Sequence, residues 1–208
     1  MEAVTEELIA FFRMFTILYL VLVAYILVLS IAAYILASYS LYTLAKRRDV
    51  LKPWTAWIPV ANGWLIGCIS DCYRMQVLGD YTQRGREILK YSIMLIISCA
   101  ALNSAEVVVA AAAEAFVIID TVFTGFFLIF ALSLVLGVLI FMIVVSVRYF
   151  TRYYKALYDI FRSCQGNLGL LYFLLSLLVP FAQPICLLLS RNKDYGIPKP
   201  KDTFCEEL

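Results

Sequence analysis

The sequence predicts an all-α integral membrane protein, and two observations carry that prediction. Hydrophobic residues make up 63% of the 208 residues, charged residues make up only 15%, and the mean hydropathy is +0.89. Soluble domains contain roughly 45–50% apolar and about 25% charged residues, so this composition lies far outside their range. The apolar residues are also gathered into long runs, and about 20 apolar residues suffice for a membrane-spanning helix. We therefore treat residues 1–208 as a single polytopic membrane domain.

Three apolar runs are long enough to cross a bilayer, and they predict three firm transmembrane helices. They cover residues 14–44, residues 91–113, which are rich in alanine, and residues 121–147. The first run follows an acidic start that contains Glu2 and Glu6. A secretory signal peptide instead begins with basic residues and has a shorter apolar stretch of about 7–15 residues. We therefore expect the first run to remain in the membrane as a span.

Two further segments, residues 53–70 and 168–189, are apolar but interrupted by proline. In the first segment, a helix over residues 54–61 would rise only about 12 Å at 1.5 Å per residue. Asn62 and Gly63 follow it, and this pair is a turn signal. We predict that both segments are proline-broken, and that they either enter the bilayer and return or form short spans.

The two segments share one motif, in which a proline is followed three residues later by an amide side chain. The copies are Ile58-Pro59-Val60-Ala61-Asn62 and Val179-Pro180-Phe181-Ala182-Gln183. Each copy follows a long apolar run and a basic stretch. This arrangement predicts a pseudo-repeat of two halves with the same orientation.

The basic residues predict the orientation of the chain. The chain has 17 lysines and arginines, of which Arg13 stands alone. The other 16 form four clusters of four: Lys46, Arg47, Arg48 and Lys52; Arg74, Arg84, Arg86 and Lys90; Arg148, Arg152, Lys155 and Arg162; Arg191, Lys193, Lys199 and Lys201. If both broken segments enter the membrane and return, with the N-terminus outside, 16 basic residues are cytoplasmic and 1 is external. If both cross, the division is 8 against 9, and if only the second crosses it is 12 against 5. The positive-inside rule favours the first arrangement, with basic loops and a tail at 190–208 in the cytoplasm.

The broken segments supply the first candidate ligand-binding residues, which are Pro59, Asn62, Pro180, Gln183 and Pro184. A broken helix in a membrane leaves backbone polar groups free, and these are tolerated where they line a cavity or hold something polar. The alternative is that the two amide side chains only satisfy the broken backbone.

Asn103 and Glu106 are a second candidate pair, because they lie on one helical face inside the second span. An ionisable group within a span is energetically expensive and is by default a functional hypothesis. The alternative is that Glu106 lies close enough to the outer interface to reach water.

The stretch after the third span combines basic and aromatic residues. Its basic residues, Arg148, Arg152, Lys155 and Arg162, follow 4-3-7 spacing. Its apolar residues follow 4-3-4 spacing and are Phe150, Tyr154, Leu157 and Phe161. A helix with a basic face beside an apolar face suits the headgroup region of an anionic leaflet, so the four basic residues are lipid-headgroup candidates. The alternative is positive-inside anchoring without lipid specificity.

Small residues in the second and third spans permit close helix approach, either within the chain or between copies of it. They are Ala110 to Ala113 in the second span, and Ser133 with Gly137 in the third. A homo-oligomer or another membrane subunit is therefore an expected partner.

Several kinds of chemistry have no counterpart in the sequence. It contains no histidine, no Gly-rich phosphate loop and no Gly-x-Ser-x-Gly nucleophile motif. We therefore expect no catalytic residues, no metal, no cofactor and no nucleic-acid partner.

A resemblance adds to this interpretation. Trp54-Thr55-Ala56-Trp57-Ile58-Pro59-Val60-Ala61-Asn62 resembles the Trp-x-Ala-x-Ile-Pro-x-x-Asn segment of small uncharacterised bacterial polytopic membrane proteins. The stretches 180–185 and 191–196 are similar to the C-terminal part of some of those chains. The resemblance covers about a quarter of the sequence, and it implies a multi-pass protein of the bacterial cytoplasmic membrane without implying an activity.

We expect a non-enzymatic membrane protein that binds or moves a small solute or lipid, alone or as a transporter subunit. The lipid bilayer, including anionic lipids, is its first expected partner. The alternative is an assembly or immunity-type partner that packs against another membrane protein. A water-reachable cavity at Asn62 and Gln183 would favour the first hypothesis, and an exposed face of small residues would favour the second.

Overall fold

The structure is a computed structural model that describes residues 2–80, 82–116, 121–179 and 181–193. It is all-helical, with no strand among these residues, as the composition predicts. The helices are α1 (Glu2–Arg47), α2 (Pro59–Leu78), α3 (Arg84–Phe116), α4 (Thr121–Gln165), α5 (Gly169–Leu178) and α6 (Ala182–Ser190). Short 3-10 helices at Pro53–Trp57 and Gly166–Leu168 precede α2 and α5.

Three helices, α1, α3 and α4, are long and apolar enough to cross a membrane, which confirms the prediction of three spans. Each extends beyond its predicted run at the basic end. Most notably, α4 continues without a break to Gln165, so the basic-aromatic stretch 148–162 prolongs the third span and is not a separate helix.

The hydrophobic core lies at the basic end of the long helices. There the last turns of α1, the first turns of α3 and the last third of α4 pack around α2, α5 and α6. The fully buried side chains include Leu44 of α1, Ile66 of α2, Ile88 of α3 and Phe161 of α4. Away from this bundle, α1 carries a continuous series of exposed apolar side chains from residue 11 to residue 31, as expected for contact with lipid.

The first proline-containing segment differs from its predicted course. Pro59 begins α2 and does not break it, because the first position of a helix needs no backbone donor. The predicted turn at Asn62 and Gly63 is wrong, since both residues lie within α2 and the Asn62 amide donates to the Ile58 carbonyl at 2.8 Å.

The second proline-containing segment is interrupted near its middle. α5 ends at Leu178, Val179 is extended (φ −124°, ψ 104°), and α6 begins at Ala182. Pro180 lies outside the described residues, as do residues 194–208 of the predicted tail. Pro184 occupies the first turn of α6, where proline is tolerated.

Both connecting segments run along the long helices and then return. After α1, the Val50 amide bonds to Ala45 near the helix end, and the Trp57 carbonyl then accepts a hydrogen bond from Tyr34, farther up α1. After α4, α5 packs back along that helix through ring contacts, and α6 brings Ser190 to Gln165. The end of α6 therefore lies beside the end of α4.

Two close crossings hold this bundle together, and neither uses the predicted small-residue faces. A Cβ on Gly67 would overlap the backbone of Gly85, so α2 and α3 touch there. A Cβ on Gly169 would come within 2.7 Å of the Arg162 Cα, so the start of α5 touches α4. Gly137, by contrast, faces open space within the described part of the chain.

Candidate functional site

A cavity of about 450 Å³ lies where α1, α2, α4 and α6 meet. Asn62 and Gln183, which the sequence singles out in separate segments, both line it, as do Pro59 and Pro184. Four tyrosines complete its polar lining: Tyr34, Tyr149, Tyr153 and Tyr154. Two elements that are distant along the chain therefore bring their amide side chains to one space.

Asn62 is positioned by the helix start at Pro59. Its side chain lies one turn into α2, and its Nδ2 donates to the Ala56 carbonyl at 3.2 Å. That carbonyl belongs to the preceding 3-10 helix, so the amide ties the entry of α2 to the chain before it. Asn62 thus has a structural bond in addition to its place in the cavity wall.

Gln183 lies in the first turn of α6, and its Nε2 donates to the Tyr153 hydroxyl at 2.5 Å. This bond joins α6 to α4 across the cavity. The amide carbonyl oxygen remains an acceptor, and the tyrosine hydroxyl proton remains a donor. The pair can therefore bind a ligand group that both donates and accepts.

The tyrosines were not among the predicted site residues. Tyr149 and Tyr153 stack with ring centroids 5.8 Å apart, and the Tyr34 hydroxyl donates to the Trp57 carbonyl at 2.6 Å. Tyr149 and Tyr153 are four residues apart on α4, and this spacing is a sequence signal that could have identified them. Tyr34 has no such signal, because its approach depends on the packing of α1 beside α2 and α6.

A buried charge network lies toward the basic end. Asp159 of α4 accepts from Arg84 of α3 at 2.6 Å and from the Ser70 hydroxyl of α2 at 3.1 Å. Arg74 approaches the same carboxylate at 3.6 Å. Three helices are therefore joined at one acidic side chain that sequence reasoning overlooked.

Asp71 forms a second junction next to this network. It accepts from the Thr82 hydroxyl at 2.5 Å and from the Gly85 backbone N–H at 3.0 Å. Burial raises the pKa of Asp71 above its ordinary value of 3.8, although the bonds from Gly85 and Thr82 act to lower it. Its role is to hold the connection between α2 and α3.

Asn103 and Glu106 do not reach the cavity. Both are exposed on α3, and Asn103 donates to its own helix at the Cys99 carbonyl, 2.8 Å away. The structure therefore places this pair away from the two amides that line the cavity.

The four basic headgroup candidates lie on the part of α4 that runs through the bundle. Arg148, Lys155 and Arg162 are exposed, and Arg152 pairs with Glu87 at 3.0 Å. The apolar face beside these basic residues was expected to face lipid, but part of it is buried inside the bundle. Leu157 and Phe161 are fully buried against other helices because the return of α5 covers them.

The lining suits hydrogen bonding and aromatic contact. Within the residues that the structure describes, no group of three His, Cys, Asp or Glu side chains could hold a metal ion. Comparison of the chain with protein-family models, with curated proteins and with solved structures finds no match. The case for a function therefore depends on the geometry of the cavity.

Proposed function

We propose that this chain is a non-enzymatic membrane protein that binds or moves a small solute or lipid, alone or as a transporter subunit. One observation carries the proposal: Asn62 and Gln183, chosen from sequence for the same chemical reason, line one cavity. Asn62 lies on α2 and Gln183 on α6, so the two amides reach one space from helices that are distant along the chain.

The proposed orientation places the N-terminus outside and the basic loops inside a bacterial cytoplasmic membrane. Its support is that the basic ends of the three long helices meet. Arg47 donates to the Arg191 carbonyl, and Arg84 pairs with Asp159 near the end of α4. In this arrangement the segments around Trp57 and Val179 enter the inner leaflet, and both residues are exposed apolar side chains there.

A second function is favoured by a different observation. Among the described residues, no Cα of α1 lies within 8 Å of a Cα of α3 or α4, and the most apolar stretch of α1 is unburied. This exposed stretch of α1 is a surface on which another membrane protein could pack. An assembly or immunity-type partner is therefore the alternative proposal.

The test compares Asn62→Leu and Gln183→Leu with Asn103→Leu, an exposed amide outside the cavity. Each protein is purified in mild detergent, and small molecules that copurify with it are measured by mass spectrometry beside its thermal stability. We expect the two cavity variants, but not Asn103→Leu, to lose a copurifying molecule while remaining folded.

Stability separates this result from a purely structural role. Losing the bond to Ala56 or Tyr153 should cost about 1 kcal/mol, and a stranded buried partner costs up to about 3 kcal/mol. If the cavity variants unfold, or if they retain every molecule that the wild type retains, the cavity is packing and the proposal is wrong.

A further inference from the structure

The cavity lining carries no charge. Among the described residues that line it, every polar side chain is a neutral amide or a phenol. Arg148 and Lys155, which adjoin Tyr149 and Tyr154 in sequence, are exposed and do not line the cavity. A charged group placed in the cavity would meet only dipoles, and an unpaired charge taken out of water is costly.

The cavity also lacks a wall on one side. Ala33 and Ala37 of α1 line it, and so does Phe150 of α4, yet no Cα of α1 lies within 8 Å of a Cα of α4 in the described part of the chain. Small alanine side chains on the α1 side leave this approach wide. The cavity is therefore continuous with the gap between two spans.

The gap beyond the cavity is apolar. Exposed apolar side chains run along α1 from Phe11 to Ile31, and along α4 from Ile129 to Val147. In a membrane these surfaces face lipid chains. An occupant of the cavity can therefore extend an apolar tail into the gap without burying a polar group.

The level of the cavity is that of the membrane interface. Tyr149 directly follows Arg148, the first basic residue after the third apolar run. Tyrosine and tryptophan are enriched where headgroups meet acyl chains, which matches the tyrosines of the cavity and the neighbouring Trp57.

We propose that the ligand of this cavity is an uncharged amphiphile, with a hydroxyl-bearing head held by Asn62, Gln183 and the tyrosines and an apolar tail between α1 and α4. This inference rests on the proposed function and narrows its ligand class. The head both donates and accepts hydrogen bonds, as the Gln183 and Tyr153 pair requires, and it enters sideways from the inner leaflet.

The experiment uses a diacylglycerol with a photoactivatable diazirine in one acyl chain, added to the purified full chain in phosphatidylcholine nanodiscs. Labelled peptides are identified by mass spectrometry. We expect labelling around residues 30–37 and 143–154. Unlabelled dioleoylglycerol should compete about tenfold better than dioleoylphosphatidate, which has the same chains but a charged head.

A matched pair of variants localises the labelling to the cavity. Ala33→Trp adds bulk to a residue that lines the cavity, whereas Ala32→Trp adds the same bulk to the exposed neighbour. We expect Ala33→Trp to reduce labelling about fivefold or more and Ala32→Trp to leave it close to wild type. Equal labelling of both variants, or equal competition by dioleoylphosphatidate, would overturn the inference.

Failure of this inference is distinguishable from failure of the proposed function. If Asn62→Leu and Gln183→Leu release a copurifying molecule that is charged or freely water-soluble, the cavity is a binding site but the ligand class is wrong. If neither variant releases anything and no label reaches the cavity, both proposals fail.

Discussion

The guanidinium of Arg84 lies 2.6 Å from the carboxylate of Asp159, and the two side chains are only 10% and 9% exposed. This ion pair joins the first turn of α3 to the last third of α4, and Ser70 adds α2 through its bond to Asp159. The contact fixes the basic ends of two spans relative to each other. The cavity between α2 and α4 depends on that arrangement.

Replacing Asp159 with Asn should therefore destabilise the bundle strongly. The change leaves Arg84 buried without its counter-charge, and removing one partner of a buried pair costs about 3–5 kcal/mol. Thermal unfolding in detergent measures the effect. Asp80→Asn is the matched control, since its bridge to Arg74 is surface-exposed and such pairs contribute about 1 kcal/mol or less. Equal effects of the two variants would contradict the assigned role of the pair.

Asp71 predicts a specific pH dependence. Because its pKa is raised above 3.8 in the folded protein, its contribution favours folding at low pH and is lost as the pH rises through the raised value. Asp71→Asn should therefore flatten the fall in stability that this carboxylate produces as the pH rises above its ordinary pKa of 3.8. Unfolding midpoints measured at increasing pH test it, with Asp80→Asn as the exposed control. A profile that is unchanged in Asp71→Asn would exclude this carboxylate as its source.

Gly67→Ala should separate α2 from α3. Its new Cβ would overlap the Gly85 backbone, which cannot rotate away as a side chain could, and overpacking of this kind costs about 1–3 kcal/mol or more. Gly137→Ala is the control, because a Cβ there meets nothing within 4 Å. Thermal stability in detergent measures the effect. If both variants unfold at the wild-type temperature, α2 and α3 are not in close contact at Gly67 and Gly85.

The proposed orientation predicts a labelling pattern. Cysteines introduced at Gln76 and Asn167, which are both exposed, should react with a membrane-impermeant thiol reagent only from the cytoplasmic side. A cysteine at residue 115 should react only from outside. The wild-type chain with its six cysteines supplies the baseline. Gln165 would be a poor reporter, because it is buried and bonded to Ser190. External reaction at Gln76 would mean that residues 53–70 cross the membrane.

Lys155 tests the proposed contact with anionic lipid. It is exposed on α4, and Lys155→Gln should weaken association with anionic nanodiscs by about 1 kcal/mol at low salt, with a smaller effect at high salt. Arg13→Gln also removes one positive charge, but near the start of α1, which the proposed orientation places on the other side of the membrane from Lys155. We expect Arg13→Gln to leave the association with anionic nanodiscs unchanged. Equal binding of wild type and Lys155→Gln would leave plain positive-inside anchoring as the explanation.

The sequence alone determined the helical class, the three spans, and the two amide-bearing segments. Apolar run length is a local property, and a run of about 20 apolar residues is long enough for a membrane-spanning helix. A proline followed three residues later by an amide side chain is also a local sequence pattern, so Asn62 and Gln183 could be selected from the sequence alone. The charge division predicts the orientation of the chain, and that orientation stays a prediction.

Only the tertiary structure decided how these parts meet. Pro59 starts a helix and does not break one, and this outcome depended on the conformation of the backbone before it. The close approach of Gly67 to Gly85 depended on how α2 crosses α3. The buried Asp159 was hidden in a basic stretch, because its partner Arg84 is 75 residues away along the chain. Convergence of four helices on one cavity is a long-range packing result, since no periodicity within a single helix specifies which faces of separate helices will meet.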